Sequence, residues 1–470
     1  MKKFIIIILV CCPLLFKAQP GIPRPTRAQL AWHDMEFYLF MHFGPNTFTD
    51  LEWGHGTEKE EVFNPTDLDC EQWCRIAKAA GAKGIIITAK HHDGFCLWPS
   101  KFSKHTVRES KWKDGKGDVL KELSTACKKY GLKFGVYISP WDRNHPDYGT
   151  EKYNDVFVNM MKEIFTNYGP IWELWWDGAN GEGPNGKRQV YDWHRFERTV
   201  RALSSNTVVF SDIGPDIRWC GNEDGIAGTT NWNTLDTAGF TRGAGGPPQD
   251  TLNTGNANGK NWIPAECDVS IRPGWFYHKA EDNKVKTPEQ LFNLYLKSVG
   301  RGANLLLNVP PDGRGLIAEY DSAALVGFYK LKQANFKHNV SLKGEGYFTT
   351  LKHTTKTPQL NDGNQHTSVK AGLPGSARMR IVFRDSLLIN CIVIRENISQ
   401  GQNCKNFIVQ LNDRSGSSIE LTGTTIGNMR IITFPRRNSA WIELMITGLK
   451  SMVTICEIEV YLIDENLVEK

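Results

Sequence analysis

The stretch DCEQWCRIAKAAGAKGIIITA, residues 69–89, decides the fold. Its first half sets Trp73, Ile76, Ala77 and Ala80 on one face of a helix, the spacing of a single buried stripe. Gly81 stops the helix, and KGIIITA follows as a continuously apolar strand, the pattern of a strand covered on both faces. The same unit then recurs. In DVLKELSTACKKYG (118–131), Leu120, Leu123, Cys127 and Tyr130 share a face, Gly131 ends the helix, and KFGVYIS is the strand. EKYNDVFVNMMKEIFTNYG leads into IWELWWD, GKRQVYDWHRFERTVRALS into TVVFSD, and TPEQLFNLYLKSVGRG into NLLLNVP. Counting from FYLFMHFG (37–44), at least six such strands precede residue 310. Apolar strands separated by amphipathic helices predict a parallel sheet. No glycine-rich phosphate fingerprint follows the first strand, and polar and aromatic residues gather at strand C-terminal ends. Both features favour a closed (β/α)8 barrel over an open sheet, and the expected barrel spans residues 19–340.

Beyond residue 340 the rhythm changes. ARMRIVF, LLINCIVIRE, NFIVQLN, SIELTG, MRIITFP, AWIELMITG and TICEIEVYLI are short strands separated by polar turns, with no helix pattern between them. They predict a C-terminal β-sandwich over residues 345–470. IVIRENISQGQNCKNFIV (392–409) resembles part of the discoidin-like, galactose-binding-like sandwiches. A purely stabilising appendage is the other reading of this region.

The first residues, MKKFIIIILVCCPLLFKAQP, set two lysines before a short apolar run and place the small residue Ala18 before Gln19. This is the chemistry of a secretory leader over residues 1–18, so a secreted or periplasmic protein is expected. LVCC resembles a lipoprotein signal, but Val10 fits poorly where a small residue should precede Cys11. No later segment is apolar enough to span a membrane. The formal charge of +5 includes Lys2, Lys3 and Lys17 of the leader, and what remains gives no electrostatic case for nucleic acid. The cysteines after the leader (70, 74, 96, 127, 220, 267, 391, 404 and 456) are scattered, make no paired zinc motif, and read as buried small hydrophobes.

Two stretches carry chemistry. TAKHHDGFCLWPS (88–100) sets His91, His92 and Asp93 side by side, which suits either a metal or a sugar stacked on nearby rings. A metal needs three or four converging ligands, and no later His-x-x-x-His or carboxylate motif completes such a set. In WELWWDGANG (172–181), strand alternation turns Glu173, Trp175 and Asp177 one way, and in a barrel that way is inward. Asp177 then sits at the rim beside a tryptophan, where a glycosidase nucleophile would stand, although an Asp there can also cap the next element. A retaining glycosidase needs a second carboxyl about 5–5.5 Å away. Glu223, on the loop after TVVFSD, and Glu266, further along, are the candidates. Between them runs a segment rich in Gly, Asn and Thr (228–262), longer than structureless loops usually are unless they serve function.

The motifs FYLFMHFG, LEWGHG, ITAKHHDGF, VYISPWD, ELWWDGA, GPDIRWCGNEDG, PAECDVSIRPGWFYH and NLLLNVPPDGRG, in order over residues 25–340, resemble the family 29 glycoside hydrolases, the α-L-fucosidases. The resemblance implies a retaining, exo-acting enzyme that needs no cofactor and no metal and takes fucosylated oligosaccharides as substrate. It places the nucleophile on Asp177 and the acid/base on Glu223, with Glu266 as the alternative. It carries fucose-binding roles to His42, Glu52, Trp53, His91, His92, Tyr137 and Trp175, and by a looser match to Arg218 and Trp275. HHDGF, WWDGA and ECDVSIRPGWFYH resemble the branch that acts on α-1,3 and α-1,4 linkages. Under this reading the two histidines recognise sugar hydroxyls, since imidazole donates at one nitrogen and accepts at the other. The rival functions are a barrel glycosidase for another sugar such as galactose, and a glycan-binding protein without catalysis.

Overall fold

The computed structural model describes residues 21–350, 353–371 and 378–468; the predicted leader, residues 1–18, lies outside them. Eight parallel strands close into a barrel: β1 (Phe37–Met41), β2 (Gly84–Lys90), β3 (Lys133–Ile138), β4 (Glu173–Trp175), β5 (Val208–Ser211), β6 (Ile217–Trp219), β7 (Ala265–Ser270) and β8 (Asn304–Asn308). They neighbour one another in chain order. β8 closes on β1 with Leu305 opposite Phe37 and Leu307 opposite Leu39. Helices α1 (Cys70–Ala79), α2 (Val119–Tyr130), α3 (Glu151–Asn167) and α4 (Trp193–Leu203) make the first four crossovers; α5 (Pro288–Lys297) joins β7 to β8, and α6 (Glu319–Asn335) follows β8.

Local chemistry sets these helices. The side chains of Asp69, Asp118 and Asp192 each accept a backbone N–H in the first turn of α1, α2 and α4, and Thr287 with Gln290 forms a capping box on α5. α1 buries Cys70, Trp73, Cys74 and Ala77, and α2 buries Val119, Leu120, Leu123, Ala126 and Cys127. Inside the barrel, Trp32, Tyr38, Phe40, Ile86, Tyr137, Trp175, Phe210 and Leu306 fill the lumen, so it is a packed core rather than a pore. The nine described cysteines are all buried and unbridged.

The strand–helix alternation breaks once. β6 follows β5 after residues 212–216 alone, with no helix between them. Asp216 closes this connection: its N–H donates to Val209 O at 3.1 Å, and its Oδ2 accepts Val209 N–H at 2.8 Å. DIGPDIRW, read from the sequence as part of the loop after TVVFSD, contains β6, whose three residues are too few to show a period. The next connection, residues 220–264, holds a short helix (Gln249–Thr254) and a hairpin pairing Thr234–Leu235 with Asn261–Trp262.

The C-terminal region is antiparallel, but ARMRIVF and LLINCIVIRE form one strand, Arg378–Glu396, and MRIITFP and AWIELMITG form another, Arg430–Leu449. Each bends instead of turning back. Residues 378–382 pair with 441–445, and after register shifts residues 391–394 pair with 430–433. The first halves of this pairing extend to Gly344–Thr349 and Cys404–Asn412, and the second to Val453–Tyr461. Two strands thus pass from one layer to the other around a core that includes Met379, Ile381, Ile392, Phe407, Ile442 and Ile458.

Candidate active site

The barrel strands deliver their polar side chains to one rim. His42 follows β1, and the short helix Pro45–Thr49 swings Glu52 and Trp53 over the same end. His91 and His92 come directly off β2, Tyr137 stands on β3, and Trp175 on β4 with Asp177 just beyond. Glu223 follows β6, Asp268 lies on β7, and Trp275 comes from the turn after it. With Phe40 and Ala179 these residues line one cavity of about 200 Å³.

Asp177 is held from two sides. Its Oδ1 accepts the Ala179 N–H at 2.7 Å, and its Oδ2 accepts the Tyr137 hydroxyl at 3.0 Å. Burial and the negative charge of Asp177 push the Tyr137 phenol well above its ordinary value, so Tyr137 stays a donor. Tyr137 stacks on Trp175 with ring centres 5.3 Å apart, and Trp175 stacks on Phe210 at 3.9 Å. This aromatic layer fixes the height of the carboxylate, each stacked pair adding about 0.5–1.5 kcal/mol.

Three histidines line the cavity with Asp177, and burial lowers the pKa of each. His42 falls to about 3 and His92 to about 4. They are therefore neutral near pH 7, able to donate at one nitrogen and accept at the other. His42 Nδ1 lies 2.8 Å from Asn308 Oδ1, and His92 Nδ1 lies 2.8 Å from Ser139 Oγ. His92 Nε2 is 3.7 Å from Asp177 Oδ2. His91 stacks on Tyr137, and its Nδ1 finds no partner. Asp93, third in the HHDG motif, turns away: it accepts the Phe95 N–H at 2.7 Å and the Asn46 amide at 3.1 Å. Gly94 makes that turn possible, because its φ is +86° and a Cβ there would collide with the Asp142 carboxylate. Among the described residues no three His, Cys, Asp or Glu side chains gather to hold a metal ion.

The opposite wall is Glu52, Trp275 and Glu223. Glu52 accepts the backbone N–H of Trp275 at 2.9 Å and of Phe276 at 3.2 Å, which pins the turn after β7. Trp275 then donates its indole N–H to Glu223 Oε2 at 3.3 Å. Glu223 is exposed at the cavity mouth. Partial desolvation raises its pKa, the Trp275 bond opposes the rise, and the charge of Asp177 adds to it. Trp53, 55% exposed, stands edge-on to His92 and Trp141 and forms an aromatic lip.

A profile of the α-L-fucosidase family matches residues 26–330. Alpha-L-fucosidase 1 of Arabidopsis thaliana is 39% identical over 424 residues, which cover 88% of this chain and 82% of that protein. The chain belongs to the α-L-fucosidase family. Among solved structures, a glycoside hydrolase 29 family member from an unknown rumen bacterium is similar at 38% identity and a TM-score of 0.83, over 95% of this chain and 78% of that one. A Ruminococcus gnavus family 29 fucosidase in complex with fucose is similar at 29% identity and a TM-score of 0.85, over 96% and 98%.

Two residues named from the sequence stand elsewhere in this α-L-fucosidase-family hydrolase. Arg218 is the middle residue of β6, and alternation turns Ile217 into the lumen and Arg218 out of it. Its guanidinium is fully buried, donates to Leu252 O at 2.8 Å and to Asn231 Oδ1 at 3.1 Å, and also bonds Ile263 O. It organises the long β6–β7 connection and does not line the cavity. Glu266 lies at the second position of β7, fully buried and not among the residues that line the cavity. It accepts the Trp175 indole N–H at 2.8 Å and the Tyr38 hydroxyl. Glu173 sits beside it and accepts the Trp32 indole N–H at 3.1 Å. Burial raises the pKa of both carboxyls. Glu223 follows the sixth strand rather than the fifth, so β5 stands between its strand and that of Asp177. The sequence reading passed over Asp268, Phe40 and Ala179. Alternation along AECDVS, with Glu266, Asp268 and Ser270 on one face, was the available signal for Asp268.

Proposed function

We propose that this enzyme removes terminal α-L-fucose with retention of configuration, using Asp177 as nucleophile and Glu223 as acid/base. The observation that carries the reading is one small cavity with Asp177 fixed inside it and Glu223 at its mouth. Asp177 attacks the anomeric carbon as the glycosidic bond breaks, and an ester to the enzyme forms. Glu223 gives its proton to the departing oxygen, then takes one from the water that cleaves the ester. The raised pKa of Glu223 suits the first step, because an acid must hold its proton near neutral pH. Glu266 is poorly suited to either role, since Trp175 and Tyr38 occupy its oxygens beneath the cavity floor.

The cavity volume of about 200 Å³ is below the roughly 300–1,000 Å³ of pockets that enclose drug-sized ligands. That size supports exo action on a single terminal sugar. Preference for α-1,3 and α-1,4 linkages rests on the HHDGF, WWDGA and ECDVSIRPGWFYH motifs. We read residues 1–18 as a leader that exports the enzyme, 19–340 as its catalytic unit and 345–470 as an appended sandwich. N-terminal sequencing of the native protein tests export, with Gln19 expected as the first residue.

The deciding experiment compares Glu223→Ala with Glu266→Ala. Glu223→Ala should cripple natural fucosylated oligosaccharides far more than a nitrophenyl fucoside, and azide should restore turnover of the latter. Proton NMR of the first sugar released should show the α anomer. Leaving-group dependence and azide rescue in Glu266→Ala instead would move the acid/base role there, and a first-formed β anomer would overturn retention. A panel of oligosaccharides of differing linkage, with a galactoside control, tests specificity.

A further inference from the structure

β7 turns three polar side chains inward: Glu266, Asp268 and Ser270. Two are fully engaged within the protein. Glu266 holds Trp175 and Tyr38, while Ser270 donates to Gly274 O at 2.7 Å and accepts from Asn308 Nδ2 at 2.9 Å. Asp268 is different. Its residue is only 4% exposed, it lines the cavity beside Trp175, Trp275 and Glu223, and its Oδ1 has no hydrogen-bond partner. Buried polar atoms are almost always paired, and an orphan in a native structure calls for an explanation. Asp268 lines the cavity, so a molecule held there is within reach of its carboxyl.

We propose that Asp268 is a sugar-recognition residue whose carboxyl donates a hydrogen bond to an oxygen of the monosaccharide held in the cavity. The inference rests on that cavity being the fucose subsite. Its surroundings favour a neutral acid. Burial pushes the Asp268 carboxyl well up, and the nearby carboxyls of Glu223 and Glu266, when ionised, act in the same direction. Asp177, Glu223 and Glu52 can only accept when ionised, so a protonated Asp268 supplies a donor on the wall formed by β7. It would do so without placing another negative charge under a substrate whose reaction already involves two carboxyls.

The test uses the whole enzyme with Asp268→Asn, which keeps a donor of similar size, and Asp268→Leu, which keeps the volume and removes the hydrogen bond. Activity is measured on 4-nitrophenyl α-L-fucoside, binding by calorimetry with L-fucose, and folding by thermal melting. Asp268→Leu should melt no lower than wild type, because it removes an unpaired buried polar group, yet lose about a hundredfold or more in kcat/KM and bind L-fucose correspondingly weakly. Asp268→Asn should stay within about tenfold of wild type in kcat/KM. Infrared difference spectra with and without L-fucose should show a carboxylic-acid carbonyl band that shifts on binding and vanishes in Asp268→Asn. Near-wild-type activity in Asp268→Leu overturns the proposal. So does a folded but inactive Asp268→Asn, or a loss of activity that merely follows a loss of stability in both variants. Failure of the wild-type enzyme to bind L-fucose or cleave the fucoside overturns the subsite reading, and the inference with it.

Discussion

Asp177 shows how much of the site is built by single contacts. Its two oxygens are aimed by a backbone N–H and a phenol, so the carboxylate has little freedom left. Asp177→Asn keeps the shape and one acceptor oxygen but removes the carboxylate proposed as the nucleophile. Turnover should fall at least about a thousandfold with the melting temperature nearly unchanged; retention of a tenth of the rate would sink the assignment. Trp275 offers a sharper test. Its indole N–H favours the ionised form of Glu223, while desolvation and the charge of Asp177 favour the protonated form. In the proposed acid role Glu223 must be protonated to act, so activity should fall as pH rises through its folded pKa. Trp275→Phe removes the one contact here that lowers this pKa, and the alkaline limb of kcat/KM should move up by about half a pH unit or more. An unmoved limb would show that Trp275 does not act through Glu223.

At the scale of elements, the departure that matters is the missing helix between β5 and β6. A turn braced by Asp216 replaces it. Besides the Val209 bond, Asp216 takes a two-pronged contact from Arg201 on α4, at 2.8 and 2.7 Å. Asp216→Ala leaves the Val209 N–H and the Arg201 guanidinium without this partner. It should cost about 2 kcal/mol by chemical denaturation and lower kcat as well, because Glu223 follows β6 closely. Lost stability with unaltered kinetics would mean that Glu223 is positioned independently of this turn. Arg218 belongs at the same scale. It ties the sixth strand to Leu252, Ile263 and Asn231 of the long connection, which makes it a strut for the loop rather than a ligand of the sugar.

At the scale of the molecule, the sandwich keeps its own core but shares an apolar seam with the barrel. Cys391, Val393, Met429, Tyr461, Ile463, Leu467 and Val468 of the C-terminal region belong to the apolar cluster that wraps the barrel strands. Phe336, just past α6, meets Tyr461 edge-on at 5.2 Å. Gln402 accepts the Asn233 N–H at 2.7 Å and donates to Asn231 O at 2.9 Å, bracing the start of the long β6–β7 connection. Exposing such side chains costs about 1.5–3 kcal/mol apiece when they are large and apolar, which together rivals the roughly 5–15 kcal/mol that stabilises a domain. A chain ending at Lys343 should therefore be recovered insoluble or melt far below the full protein in a thermal scan. A soluble, active barrel of wild-type stability would contradict this.

The sequence by itself determined the barrel, the rim on which its chemistry sits, and the inward set Glu173, Trp175 and Asp177. Periodicity reports which face of an element is buried, and in a closed parallel sheet facing inward near a strand's C-terminal end means facing the cavity. The histidine pair, Glu52, Tyr137 and Trp275 were legible through the family motifs, and the structure brings them to the cavity with Asp177. Only the tertiary structure decided the rest. β6 is too short to show a period, so the outward turn of Arg218 was invisible. Glu223 and Glu266 are both carboxyls near strand ends, and depth separates them: one stands at the mouth, the other beneath the floor. Alternation along AECDVS places Asp268 on the inward face, but its burial and its orphan oxygen show only once its neighbours are in place. Burial and an absent partner are properties of three-dimensional packing, and no local pattern in the chain encodes them.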